Sequence, residues 1–264
     1  MVGPLADATW RLIPAESRSG ATTMALDDVA AETVQAGGPW TARVYRWRPP
    51  TLSLGYGQDP GTVDWAACER LGYDVVRRRT GGGAILHDGD VSYSLIVPAD
   101  AVAGDVLDAY HTLLEPILDA FERLGVDAGF PEESAGGVHT PACYLRERHP
   151  AHDIVADGRK VCGNAQHRTK EAVVQHGSLS VTPDAEARAA VFVDDAASQS
   201  AFRSHAVGLS EFGVSGEDVA DALEGALASW TDAEQGDWTD DELARAEAVA
   251  ATYSSADWTR HRTE

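Results

Sequence analysis

The stretch from Tyr73 to Pro98, YDVVRRRTGGGAILHDGDVSYSLIVP, constrains the chain most. A strand pattern rich in valine and arginine runs into three successive glycines, and two short alternating segments follow, with His87 and Asp88 between them. A turn without Cβ atoms can adopt positive φ and bring its N–H groups against a ligand. Arg77, Arg78 and Arg79 arrive just before it, and because strand side chains alternate, at least one projects beside the turn. A cationic fork beside bare backbone donors suits an anion. A lone run of glycines is nonetheless most often plain hairpin punctuation with solvated or paired arginines. A second stretch has to decide.

That stretch is Asp153 to Val181, DIVADGRKVCGNAQHRTKEAVVQHGSLSV, which reads as consecutive strands. The Asp157-Gly158 pair between alternating runs predicts a tight hairpin, and a second turn falls near Thr169-Lys170. Lys160 follows the first turn in a chain where lysine is scarce. A lysine at a hairpin edge is most often a solvated charge. Beside Gly163, Asn164, Ala165 and Gln166, small and amide residues that admit a ligand and offer it hydrogen bonds, it becomes a point charge for a phosphate or carboxylate.

The rest of the chain frames these motifs. Strands are expected over Thr9–Pro14, Ala42–Trp47 and Thr51–Gly57, with a helix over Thr22–Ala36 capped by Thr22 or Thr23. Asp64 caps a short helix that ends at Gly72, and Val102–Leu124 carries a broad apolar helical face. Residues 131–151 read as irregular and contain Cys143. Helices follow over Ala185–Phe192, Glu217–Trp230 and Asp240–Thr252, with 208–216 as the best minor boundary.

The 264 residues carry 21 basic and 42 acidic side chains, a net charge of −21. Such a balance argues against a nucleic-acid surface and suits solubility at high salt. Three cysteines, Cys68, Cys143 and Cys162, with no CxxC, indicate neither a disulfide framework nor a zinc ribbon, so no resident metal is expected. No basic-then-apolar leader and no membrane-length apolar run is present. A soluble cytoplasmic protein of one domain over 1–264, helical from about residue 184, is expected.

RRRTGGGAILHD followed by GRKVCGNAQHRTKEAVVQHGSLSV resembles the paired signatures of the lipoate–protein ligase A family, which shares one α/β catalytic fold with biotin ligases and octanoyltransferases. The resemblance implies mixed and antiparallel sheets packed with helices, and attachment of a lipoyl or octanoyl chain to one lysine of a lipoyl-carrier domain, either a 2-oxoacid dehydrogenase E2 or a glycine-cleavage H protein. A ligase would use lipoate, ATP and Mg2+ through lipoyl-AMP. By the same resemblance, Arg79 and the turn Gly81, Gly82 and Gly83 would hold the adenylate, Lys160 would meet the developing charge, and His87 and Asp88 would border the pocket. Asp153 would lie near the nucleotide, Gly163, Asn164, Ala165 and His176 would complete the binding set, and Leu54, Val76, Ile85 and Val161 would line an aliphatic slot.

Two departures open a second reading. Ligases of this family commonly carry a Gly-Asn pair after His-Asp, whereas HDGDVSYSLIV resembles the cysteine-dependent octanoyltransferases, and Ala142-Cys143-Tyr144 matches the placement of their nucleophile. Cys143 would then carry the acyl group as a thioester, with Lys160 favouring its thiolate. The helices after the hairpin are too few to include the accessory domain that many ligases need for activating lipoate, so either a separate polypeptide supplies it or a preactivated donor is used. The biotin-ligase signature GRGRxGR is absent. The leading expectation is the ATP-dependent ligase, followed by the transferase and then by a non-catalytic lipoyl- or adenylate-binding scaffold.

Overall fold

The computed structural model describes residues 5, 8–102, 104–137, 141–194 and 197–263. Its strands are β1 (Trp10–Arg18), β2 (Trp40–Trp47), β3 (Thr51–Leu54), β4 (Asp74–Arg77), β5 (Ile85–His87), β6 (Asp90–Pro98), β7 (Ala128–Gly129), β8 (Asp153–Ala156), β9 (Arg159–Arg168) and β10 (Ala172–Ser180). They form a seven-stranded sheet in the order β1-β2-β6-β10-β9-β8-β7 and a three-stranded sheet in the order β4-β3-β5. Among the pairs of strands in the described residues, only β1 with β2 and β3 with β4 run parallel. The remaining pairs are antiparallel. The mixed α/β architecture is the one the sequence implies.

The helices are α1 (Gly20–Gln35), α2 (Trp65–Leu71), α3 (Val106–Arg123), α4 (Ala185–Ala190), α5 (Gln199–His205), α6 (Gly216–Thr231) and α7 (Asp240–Ser254). Capping explains where they start. Ser19, rather than Thr22 or Thr23, caps α1 by accepting the Thr22 N–H at 3.2 Å. Asp105 accepts the Leu107 and Asp108 N–H groups, which starts α3 later than the apolar pattern alone suggests. Asp64 and Gly72 bound α2 as expected. Asp157 and Gly158 both take positive φ, at 49° and 66°, in the hairpin between β8 and β9.

Both faces of the large sheet are covered. Val91, Tyr93, Leu95 and Val97 of β6 pack with Leu113, Ile117 and Phe121 of α3 and Leu223 and Leu227 of α6. Ile96 points the other way, into a cluster with Met24 and Leu26 of α1 and Tyr253 of α7. This split follows the two-residue period of the strand. A third cluster lies under the small sheet, where Leu52, Leu54 and Leu86 meet Tyr144, Leu145 and Phe202. Among the described residues no helix is long and apolar enough to cross a membrane.

The small sheet is tied to the loop after β3 and to the C-terminal turn by a buried arginine. Arg77 donates to the carbonyls of Gly55 at 2.8 Å, Tyr56 at 3.0 Å, Gln58 at 2.8 Å and Thr259 at 2.9 Å. Its own carbonyl accepts the indole N–H of Trp258. This clamp fixes the end of β3 against the glycine turn so closely that a Cβ on Gly55 would stand 2.1 Å from the Gly82 carbonyl oxygen. Backbone on both sides leaves no flexible group to yield. Gly55→Ala is therefore expected to destabilise the fold by about 1–3 kcal/mol. A thermal melt, at roughly 2–4 °C per kcal/mol for a chain of this size, measures it, and an unchanged melting temperature would show that Gly55 and the glycine turn can move apart.

Candidate active site

The glycine turn is shaped by what it must pass. Gly82 has φ 90°, and a Cβ on Gly83 would lie 2.8 Å from the Cys143 nitrogen. Beyond the turn, Ala84 donates its N–H to Pro141 O at 2.6 Å and accepts the Cys143 N–H at 2.8 Å, so the cysteine loop is pinned to the turn by paired backbone bonds. Cys143 opens a single 3-10 turn, Cys143–Leu145. Its sulfur faces Gly163 of β9, where a Cβ would approach Sγ to 2.7 Å.

Two cavities meet at this sulfur, sharing Gly81, Gly82, Cys143, Asn164 and Ala165 in their walls. The inner one is a slot of about 400 Å3, open mouth included, walled by Tyr45, Trp47, Ile85 and His87 and floored by Ser92, Gly177 and Ser178. The outer one is a polar basin of about 940 Å3 bordered by Arg146, His149, His152, Asp153 and Lys160.

Lys160 is 2 % exposed. Its ammonium lies 3.1 Å from Asp153 Oδ2 and donates to the Cys143 carbonyl at 3.1 Å. Burial alone would raise the Asp153 carboxyl, but the His152 ring facing it and the Lys160 charge outweigh that and hold it below the usual range. The Cys143 thiol goes the other way. Its burial pushes it up more than the charges of Lys160 and Arg78 pull it down, with Asp153 adding to the rise. Asn164 is fixed between the Tyr93 hydroxyl and the His152 carbonyl, at 2.7 Å each.

The slot wall is a relay of polar groups. Arg78 donates to Ser53 Oγ at 2.8 Å, Ser53 Oγ lies 2.8 Å from His87 Nε2, and His87 Nδ1 lies 2.6 Å from Asp90 Oδ2. Burial keeps His87 below its ordinary value despite Asp90. Asp90 is held ionised, burial notwithstanding, by His87 and Ser178. The directions agree with a neutral imidazole donating Nδ1–H to a carboxylate. Trp47 stacks on that imidazole with centroids 3.9 Å apart. His176 reaches Thr80 Oγ1 at 2.8 Å and lies 3.7 Å from Asp27.

Cys143, Lys160, Asp153, Gly81, Gly82, Gly83, His87, Gly163, Asn164, Ala165 and His176 thus border one continuous space. Two other expected residues do not. Arg79 turns toward Asp28, at 3.1 Å, and the Tyr253 hydroxyl, and it is Arg78 that lines the slot and binds the Gly81 and Gly83 carbonyls. Strand alternation ends with β4 at Arg77, so it no longer predicts which following arginine points inward. Asp88 accepts from Tyr73 outside the cavities, because the bend at Gly89 hands the place beside His87 to Asp90. Of the expected aliphatic lining, Ile85 borders the slot while Leu54, Val76 and Val161 are packed in the cores. Sequence reasoning passed over Tyr45, Trp47, Ser178, His149 and His152. Tyr45 and Trp47 share a face by strand alternation, while the two histidines carry no periodic signal.

The model of the lipoyl protein ligase A/B catalytic domain matches residues 19–228. The octanoyltransferase LipM of Kyrpidia tusciae is 36% identical over 268 residues, 95% of this chain and 98% of its own. That of Brevibacillus brevis is 32% identical over 273 residues, 96% and 99% respectively. A Thermoplasma acidophilum protein described as a lipoate protein ligase, solved with bound lipoic acid, superposes with a TM-score of 0.77 at 25% identity, covering 96% of this chain and 98% of that one. With the family model matching most of its length and such relatives spanning nearly all of it, the chain belongs to the lipoyl protein ligase A/B catalytic-domain family and is an enzyme of the lipoate ligase and octanoyltransferase superfamily.

Proposed function

We propose that the protein is an octanoyltransferase that moves an octanoyl group from a carrier-protein thioester to one lysine of a lipoyl-carrier domain through a thioester on Cys143. The observation that carries this reading is the position of the Cys143 sulfur, over Gly163, where the mainly apolar slot opens into the basin that holds Lys160. A carboxylate-activating ligase has no need of a thiol there. The names of the curated relatives agree with the transferase reading.

In the first half, the Cys143 thiolate attacks the donor carbonyl. Its C–S bond forms, the carrier's C–S bond breaks, and the carrier sulfur leaves as a thiolate that takes up the proton the Cys143 thiol had released. In the second, the acceptor lysine's free amine attacks the Cys143 thioester, the amide C–N bond forms, and Cys143 departs and takes the amine's proton. Lys160, fixed by Asp153 beside the Cys143 turn, favours both the thiolate and the oxyanion of each step.

Octanoyl carrier protein without ATP should add an octanoyl mass first to this protein and then to an unmodified lipoyl domain, and Cys143→Ser should abolish both additions. Undiminished modification by the serine variant with free lipoate, ATP and Mg2+ would instead restore the ligase reading.

The raised thiol predicts a pH profile. Because Cys143 lies above the ordinary value, it is mostly protonated at neutral pH, and its alkylation by iodoacetamide should rise about tenfold per pH unit to a midpoint above the usual ~8.5. Removing the cation in Lys160→Met should move that midpoint up, and Asp153→Asn should move it down. Mass spectrometry of the alkylated peptide reads each midpoint, and shifts of the same sign in both variants would contradict this electrostatic account.

A further inference from the structure

We propose that His152 is the general base that takes the proton from the acceptor lysine's ammonium before that amine attacks, an assignment that rests on the thioester route above. An amine near its ordinary pKa of ~10.4 arrives at neutral pH almost wholly charged and is no nucleophile until it loses that proton. The lining of the polar basin must supply an acceptor. The described side chains there differ in what they have free.

Asp153 is already engaged by the Lys160 ammonium and by the His149 N–H at 2.8 Å, and it is held in its weakly basic ionised form. The Nδ1 of His149 is occupied by the Ala151 N–H at 3.1 Å, so the ring's proton sits on Nε2 and no lone pair remains. Glu147 is an exposed carboxylate and Arg146 an exposed cation. On the α3 side Tyr110 is a phenol, pushed up by burial to about 12. Lys160, from β9, is a cation.

His152 is arranged differently. Its Nδ1 is buried, makes no hydrogen bond and faces Asp153 Oδ1 at 3.6 Å, so the carboxylate favours the proton on Nδ1. That tautomer leaves the Nε2 lone pair as the acceptor. The ring is held from both sides, stacked on His149 with centroids 4.7 Å apart and planes 2° apart, and tilted against Tyr110 at 5.4 Å. Its backbone carbonyl is fixed by Asn164 Nδ2, and Asn164 also lines the slot. With its side chain 34% exposed, the ring can pass the proton on to solvent. The step balances: the ammonium proton moves to His152, the free amine forms the amide, the amine's second proton goes to the departing Cys143 sulfur, and the imidazolium releases its own to water.

The test separates the two half-reactions, with octanoyl carrier protein as donor and an unmodified lipoyl domain as acceptor. His152→Gln should slow transfer from preformed octanoyl-Cys143 at least about ten-fold more than it slows thioester formation, and the thioester that still forms shows that the variant is folded. Transfer by the variant should keep climbing about tenfold per pH unit toward the lysine range, where the unsubstituted enzyme levels off, and added imidazole should restore part of the loss. Thioester formation with transfer at the unsubstituted rate, or a loss that is equal in both halves and independent of pH, would overturn the assignment alone. Absence of any Cys143 thioester in the unsubstituted enzyme would overturn the transferase reading and this role with it.

Discussion

The site depends on the buried ion pair of Lys160 and Asp153. Both are 2 % exposed, and withdrawing each charge from water costs several kcal/mol that mutual attraction only partly repays. The pair is tolerated because its remaining valences are filled. Lys160 donates to the Cys143 carbonyl, and Asp153 accepts the His149 N–H and faces His152. One contact thereby fixes β8 to β9, positions the nucleophile's turn and orients the basin's histidines. An apolar pair of similar volume would hold the strands as well. What it would lack is a fixed positive charge beside a sulfur.

The slot exists because two sheets meet without fully interpenetrating. The pairing register places Gly163, Ser178, Ser92 and Tyr45 in one row across β9, β10, β6 and β2, and the glycine turn of the small sheet closes over that row. The row is built from small residues where room is needed. A Cβ on Gly163 would meet the Cys143 sulfur, and one on Gly177 would fall 2.1 Å from Asn164 Oδ1. In a close-packed interior a channel of this size survives only where side chains are missing by sequence. The serines serve the same end at the cost of hydroxyls that need partners, which Asp90 and Trp47 supply.

These physical facts explain what could be read from the sequence. The glycine turn, the Asp157-Gly158 hairpin, Lys160 and Cys143 were legible because each depends on local chemistry: positive φ, a two-residue turn, a rare cation, a cysteine in a known context. Arg78 and Asp90 were not, because which neighbour faces inward is decided past the end of a strand, at a bend whose geometry comes from tertiary contacts. Helix α5 escaped for a related reason. Of its residues only Phe202 is buried, so it carries no amphipathic stripe, and its place is set by packing against the Tyr144 cluster. His149 and His152 are stacked by a turn in which the N–H groups of His152 and Asp153 both donate to the His149 carbonyl, at the end of the stretch that reads as irregular.

The distribution of charge adds a last step. The chain carries twice as many acidic as basic residues, yet Arg43, Arg77, Arg78, Arg188 and Lys160 are all at most 4 % exposed. They are not neutralised alike. Arg43 sits between Asp27 and Glu16, so its charge is cancelled locally. Arg77 spends its donors on backbone carbonyls, and Arg78 on carbonyls and hydroxyls, and such neutral acceptors satisfy hydrogen bonds without removing net charge. Burial draws the Arg78 guanidinium down only to about 10, which leaves it cationic at neutral pH. A cation satisfied by carbonyls in a low-dielectric wall projects its field into the adjoining space, and here that space contains Cys143, whose thiol Arg78 pulls downward. Burial still raises that thiol, and the charges kept by Arg78 and Lys160 offset part of the cost that a thiolate or an oxyanion would otherwise meet in the slot.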